Sequence, residues 1–210
     1  FANGDPCNDP RPEEYEYRGA RPRTCEWGQP PAEGQPFSLV FYGGDLAGIR
    51  ERLDYLQALG VTALYLTPVF TAYSNHKYDV ADYAQVDPHF GGDAALVALR
   101  EALDERGMRY ILDIVPNHCG AWHPWFQRAQ EDAHAPEAEF FTFTNHPKAY
   151  ASWLGVWSLP KLNYRSAELR RRMYGAGDSI FRRWLRPPYC ADGWRLDVAN
   201  MLGRQGATQL

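Results

Sequence analysis

Two segments of this chain repeat one pattern, and that pattern leaves few folds open. In "GGDLAGIRERLDYLQALG", Leu46, Ile49, Leu53, Leu56 and Leu59 recur at helical spacing, Asp45 stands where a cap belongs and Gly60 closes the run. The strand-like "VTALYLTPVF" follows at once. In "GGDAALVALREALDERG" the framing residues are Asp93 and Gly107, and "RYILDIVPNH" reads as a second buried strand. Helical stretches around 167–174 and 179–185 lead through "PPYCADG" to a third strand, "WRLDVA". Helices between successive strands imply parallel pairing, in an open doubly wound sheet or in part of an eightfold barrel.

Polar residues favour the barrel. Asp113, Asn117 and His118 follow one strand, and Arg195 and Asp197 sit on another, at the C-terminal ends where barrel active sites collect. No GxGxxG or GxxxxGK[ST] cradle supports a nucleotide-binding open sheet. The expected fold is therefore α/β, a partial (β/α)8 TIM barrel covering the region of strands 2 to 4. Three strands cannot close a barrel, so the residues are expected to form an internal piece of a domain of about 250 residues.

The intervening stretches lack this rhythm. Residues 1–38 are crowded with Pro, Gly, Asn and Asp and read as a loop-rich segment. Residues 39–117 are barrel units. Residues 118–165, rich in His, Pro, Trp, Phe and Asn, read as a small loop-rich subdomain inserted after the barrel's third strand, the second seen here, and 166–210 as the unit ending in the strand that carries Asp197. The chain is expected to be truncated at both ends.

Alternation places Trp194, Leu196 and Val198 on one face of the last strand and Arg195 and Asp197 on the other. Flanking apolar residues suggest a buried strand, where charges are rare unless paired or functional. A net charge of −4 without any basic run argues against nucleic acid. Seven tryptophans and thirteen tyrosines suit stacking on a sugar, although core packing uses the same residues. Cys7, Cys25, Cys119 and Cys190 are widely spaced, which fits free thiols in a reducing compartment and a cytoplasmic protein. No stretch is long and apolar enough to span a bilayer, so no membrane role is expected.

The segments "DIVPNH" at 113–118 and "GWRLDVAN" at 193–200 resemble two signature regions of the α-amylase family of glycoside hydrolases. "NHKYDVADYAQVDPHFGG" at 75–92 and "LPKLNY" at 159–164 are similar to two further family segments, in the same order. Within the family the pattern looks closest to maltodextrin glucosidase and its neopullulanase and cyclomaltodextrinase relatives. The resemblance implies a retaining α-glucosidase that cleaves α-1,4 bonds of short maltodextrins with no organic cofactor. Asp197 matches the nucleophile that forms a glycosyl–aspartate intermediate. Arg195 would keep that carboxylate ionised by lowering its pKa. His118 matches a sugar-hydroxyl ligand, Tyr78 a stacking platform and His76 a further hydroxyl contact. Asp113 matches a site-orienting aspartate, and Asp79 would reach a terminal hydroxyl.

"NGDPCND" places Asn3, Asp5, Asn8 and Asp9 within seven positions, and such hard oxygen ligands suit Ca²⁺, while turn chemistry explains them equally. The neopullulanase-like relatives bind calcium through a similar loop plus a Gly-Asp pair, which matches Gly44 and Asp45, so the resemblance implies a structural ion. It also implies a glutamate acid from a later strand, and no Asp or Glu follows Asp197. The 210 residues alone are therefore expected to be inactive. Relatives often dimerise through an N-terminal domain, which would make a homodimer through regions outside these residues. Alternatives are a neopullulanase, cyclomaltodextrinase or transglycosylase of the same family, and a non-catalytic oligosaccharide-binding protein. A zinc hydrolase is disfavoured, since six histidines supply no HExxH.

Overall fold

The computed structural model describes residues 1–31, 34 and 36–202; parts of the expected 1–38 and 166–210 segments, at 32–33, 35 and 203–210, fall outside these. The N-terminal segment holds a 3₁₀ turn at Pro6–Asn8 and a two-residue strand β1 (Arg23–Thr24), paired in parallel with β2 (Val40–Phe41). The helix expected after Gly44 forms in two pieces, α1 (Leu46–Glu51) and α2 (Leu53–Ala58), because Arg52 between them leaves the helical region at φ −104°, ψ 10°. Asp45 caps α1 as its position suggests, accepting the Gly48 N–H at 2.6 Å.

The strand expected over 61–70 is also divided. Strand β3 (Ala63–Leu66) joins the parallel sheet, while β4 (Phe70–Ala72) turns away to pair antiparallel with β5 (Val80–Val86). Helix α3 (Gly92–Asp104) starts from Gly91, whose φ of +92° suits glycine. Asp93 is not its cap: the carboxylate accepts instead from the Val86 N–H at 2.8 Å and the Tyr189 hydroxyl at 2.5 Å.

Strand β6 (Arg109–Ile114) follows and forms the centre of the sheet, with β3 on one side and β9 (Gly193–Leu196) on the other, all parallel. Between β6 and β9 the chain forms α4 (Pro124–Glu131), the short antiparallel pair β7 (Phe143–Asn145) and β8 (Ala149–Tyr150), then α5 (Ala167–Arg170) and α6 (Ile180–Arg183).

Alternation gives the sheet two unlike faces. Leu66, Tyr110, Leu112 and Ile114 face the core, where Leu96, Leu99 and Leu103 of α3 are fully buried. Each such leucine contributes about 1.5–3 kcal/mol through burial. Arg100 of α3 donates to Asp192 at 2.9 Å and to the Met108 carbonyl at 2.9 Å, tying the helix to the starts of β6 and β9. The other face carries Tyr65, Asp113 and Arg195. β9 is less buried than its sequence suggests, with Leu196 40% exposed, because it lies at the sheet edge. It also stops at Leu196, so Val198 does not continue the alternation; its φ is +49°.

The four cysteines are free thiols. No helix among the described residues is long and apolar enough to cross a membrane.

Candidate active site

Register brings the ionic groups together. Asp113 on β6 is paired in register with Arg195 on β9, so both side chains leave the same face at adjacent positions. Arg195 Nη1 donates to Asp113 Oδ1 at 3.1 Å and Oδ2 at 2.9 Å, and to Asp197 Oδ1 at 2.7 Å. One guanidinium nitrogen thus serves both carboxylates. Asp113, wholly buried, also accepts from the hydroxyls of Tyr65 at 2.5 Å and Tyr78 at 3.0 Å. The Asp197 N–H extends the ladder to the Ile114 carbonyl at 2.9 Å, and the left-handed Val198 then turns the chain out of the strand. That conformation is strained for a β-branched residue.

The expected lowering of the Asp197 pKa is not what this arrangement produces. Burial raises it, Arg195 pulls it back and the Asp113 charge raises it further, leaving it above the ordinary value of 3.8. The cation falls short because it is shared with Asp113 and its side chain is 42% exposed. Burial lowers the Arg195 pKa, but the two carboxylates outweigh this and hold it cationic.

Asp197 opens into a cleft of about 460 Å³ that also meets His76, Tyr78, Asp79 and His118. The turn joining β4 and β5 delivers the first three. Tyr78 N–H donates to His76 Nδ1 at 3.1 Å, and the two rings stack with centroids 5.9 Å apart. Ser74 Oγ lies 3.1 Å from His76 Nδ1 and donates to buried Asp79. Gly120 lets the next loop approach: a Cβ there would collide with the Asp79 carbonyl.

His118 is placed by its neighbours. Tyr83 donates to the Val115 and His118 carbonyls at 2.8 and 2.9 Å, while Leu162 and Cys119 make backbone bonds that zip 117–119 to 160–162. The "LPKLNY" segment therefore acts as the clasp of the histidine loop. Burial lowers the His118 pKa to about 4, so the ring is neutral at pH 7. Its Nδ1 lies 3.2 Å from the Asn117 amide, and its Nε2 has no partner among the described residues. With the amide donating to Nδ1, the proton resides on Nε2, which is itself buried.

Among the expected site residues, His76, Tyr78, Asp79, His118 and Asp197 line the cleft, and Asp113 and Arg195 support it through their bonds to Tyr78 and Asp197. The cleft also gains Tyr17, Arg18, Trp153, Val156 and Ser158, which sequence reasoning did not single out. Trp153 stacks beside His118, centroids 5.7 Å apart, and stands six residues before the clasp, which was a usable signal. Tyr17 and Arg18 come from a distant loop and had none.

The N-terminal loop forms a separate cluster. Asp45 receives Gly4 N–H at 3.0 Å, Asp5 N–H at 2.9 Å and Asn8 Nδ2 at 3.0 Å, besides capping α1. Asn3 Nδ2 donates to both Asp9 oxygens at 3.1 Å. The Asn3 and Asn8 Oδ1 atoms are buried without partners among the described residues. Burial raises the Asp9 pKa, and nearby Asp45 and Asp5 add to this against the Asn3 bond. Asp5 itself turns to cap the following 3₁₀ turn through Cys7 N–H at 3.0 Å. Gly43, with φ +68°, rather than Gly44 lies against Asn3 and Asp9; Gly44 backs onto the Phe1 nitrogen. No three His, Cys, Asp or Glu side chains among the described residues are arranged for a metal. The orphaned amide oxygens beside Asp9 nonetheless fit a hard cation.

The sequence profile "Alpha amylase, catalytic domain" matches residues 1–209. A cyclomaltodextrinase of Geobacillus thermopakistaniensis is 40% identical over 212 residues, covering 98% of this chain and 33% of its own length. Neopullulanase 2 of Thermoactinomyces vulgaris is 37% identical over 211 residues, covering 95% and 32%. The cyclic α-maltosyl-(1→6)-maltose hydrolase of Arthrobacter globiformis, solved with its cyclic saccharide, superimposes with a TM-score of 0.79 at 35% identity, covering 96% of this chain and 42% of that one. The chain spans about a third of the length of the curated relatives it matches.

Proposed function

This chain belongs to the α-amylase catalytic-domain family, and from that premise we propose that the protein carrying it hydrolyses α-glucan oligosaccharides with retention, Asp197 being the nucleophile. The observation that carries the reading is the Asp197 carboxylate, held at 2.7 Å by Arg195 in a cleft that His118, Tyr78 and His76 also line. Attack on the anomeric carbon would form a glycosyl–aspartate bond as the leaving oxygen takes a proton from a general acid, and water would reverse both steps. The raised pKa of Asp197 suits a carboxylate that must tolerate losing its charge on bonding to sugar. Neutral His118 would donate to a sugar hydroxyl, Tyr78 and His76 would stack against and bond the same ring, and Asp79 would accept from an outer hydroxyl. Asp113 would keep Arg195 and Tyr78 in place.

Retention needs a second carboxyl about 5–5.5 Å from the first. Asp113 already accepts from Arg195 and two tyrosines, and Asp79 from Ser74, so neither is placed as the acid. The 210 residues alone are accordingly expected to bind sugar without turnover. Within the family, the maltodextrin α-glucosidase reading concerns short α-1,4 chains. The cyclomaltodextrinase and neopullulanase reading is favoured by the names of the relatives, and transglycosylation shares the same intermediate. Products from maltotriose, cyclodextrin and pullulan separate these readings. Asp197→Asn in the full protein tests the common core: lost turnover with retained binding is expected, and retained turnover removes Asp197 as the nucleophile. A binding-only protein would show no turnover even with the wild-type residue.

The reading places 118–165 as an inserted subdomain on a partial barrel. A structural Ca²⁺ would be held by Asn3, Asn8 and Asp9, with Asp45 organising the loop, and would neutralise their crowded oxygens. Four free thiols accord with a cytoplasmic setting.

A further inference from the structure

His76 and Tyr78 line the cleft, whereas the residue between them does not. Lys77 is fully buried and has a φ of +60°, a conformation unusual for a lysine. Its Nζ lies 2.6 Å from Asp87 Oδ2, donates to the Ala72 carbonyl at 2.8 Å and sits 5.5 Å from the ring centroids of both Phe41 and Phe90. Asp87, also buried, accepts from the N–H groups of Ala72 at 3.1 Å and His89 at 2.9 Å. His89 Nδ1 lies 2.9 Å from Asp87, and its Nε2 lies 2.8 Å from Glu14 of the N-terminal segment. His89, whose pKa burial lowers but Asp87 and Glu14 raise to a net increase, thus links Glu14 to the Asp87–Lys77 pair.

A buried ion pair rarely improves on an apolar pair of the same size, because desolvation offsets the attraction, so stability does not account for this one. It does impose a geometry. Two aromatic rings and a carbonyl surround the ammonium, its carboxylate partner is fixed by two backbone donors, and the left-handed backbone at Lys77 directs its neighbours to the other side of the turn. We propose that Lys77 is a positioning residue whose ion pair with Asp87 fixes the turn between β4 and β5 so that His76 and Tyr78 face the cleft. The catalytic consequence rests on the α-glucan reading above; the mechanical one does not.

The test uses the full protein with Lys77→Met/Asp87→Asn, which leaves neither charge buried alone. Amide hydrogen exchange is expected to quicken about tenfold or more in residues 74–79 while β6 and α3 keep their protection. KM for maltotriose should rise about tenfold, with the change in KM exceeding that in kcat. His89→Gln keeps the ion pair and removes only its outer partner; it should quicken exchange in the same segment by about two- to threefold. Unchanged exchange at 74–79 in both variants, or a rise spread evenly over the protein, overturns the proposal, as does faster exchange with an unaltered KM. If the wild-type protein binds no maltotriose while exchange still changes at 74–79, the carbohydrate reading fails and the anchoring of the turn stands.

Discussion

The strand-end site and the N-terminal loop both crowd carboxylates, and they compensate the charge in opposite ways. At the strand ends, Arg195 lies between Asp113 and Asp197, and Tyr65 and Tyr78 complete the shell of Asp113. In the loop, Asp9 and Asp45 take amide donors, and two amide oxygens are left over. The first cluster carries its cation covalently and keeps its geometry in any buffer. The second has oxygen to spare, so its order should depend on what the solution supplies.

The sharpest way to break this comparison is at Asp197. Asp197→Asn in the full protein should lower turnover on maltotriose by on the order of 10⁴-fold or more while calorimetric binding stays near wild type. Because burial holds the Asp197 pKa above 3.8, the native state binds more protons than the unfolded one, and the ionised group costs stability as pH rises through that range. The same variant should therefore be no less stable than wild type at pH 7; a clear loss of stability in urea would mean that the charge holds the site together.

Arg195→Met leaves Asp113 buried with hydroxyl donors alone. A destabilisation of about 2–4 kcal/mol by urea denaturation is expected, at the lower end of the range for broken buried pairs because the arginine is partly exposed. No measurable loss would mean that the tyrosines suffice.

The loop should respond to calcium and the strand ends should not. With Ca²⁺ at about 100 times its Kd, linkage gives roughly 2.7 kcal/mol of added stability, read as a higher Tm than in chelator. Asp9→Asn should remove most of that increment. Asp5→Ala should remove less, since Asp5 is engaged in capping Cys7. Identical melting curves with and without chelator would sink the ion.

Acid should reach the cleft before the carboxylates. Burial lowers the His118 pKa from 6.5 to about 4, so its contribution is complete above pH 6.5 and is lost as pH falls toward 4, at up to about 1.4 kcal/mol per pH unit. His118→Asn should reduce the slope over that window, leaving the part contributed by His123, whose pKa burial lowers to about 3. Asp87 acts lower: His89 and Lys77 outweigh burial and bring it to about 2, so its contribution is present above 3.8 and lost as pH falls toward 2. A wild-type stability curve flat between pH 6.5 and 4 would contradict the neutral, buried state of His118.

Local pattern was legible wherever periodicity met a packing face. Leu96, Leu99 and Leu103 announced α3 by spacing alone, and the parallel order of β3, β6 and β9 followed from the helices between them. Asp113, Arg195, Asp197 and His118 were legible as candidates because polar residues stand where apolar strands end, and Tyr78 only through the family resemblance. The β4–β5 pair was not legible: "TPVF" continues the apolar run of β3, and only the antiparallel pairing of Phe70–Ala72 with β5 takes it into another sheet.

What the sequence determined by itself was therefore the content of the elements and the chemistry available at their ends, both set by residues close together along the chain. The tertiary structure alone decided which donor meets which acceptor. One guanidinium nitrogen is divided between two carboxylates, Trp153 is laid beside His118, Tyr17 and Arg18 are brought into a cleft far from their place in the chain, and Lys77 is turned inward onto Asp87. These outcomes depend on burial and on register between distant strands. That is also why Asp197, beside an arginine, still has a raised pKa: desolvation is a property of the packed interior, and proximity in sequence carries no measure of it.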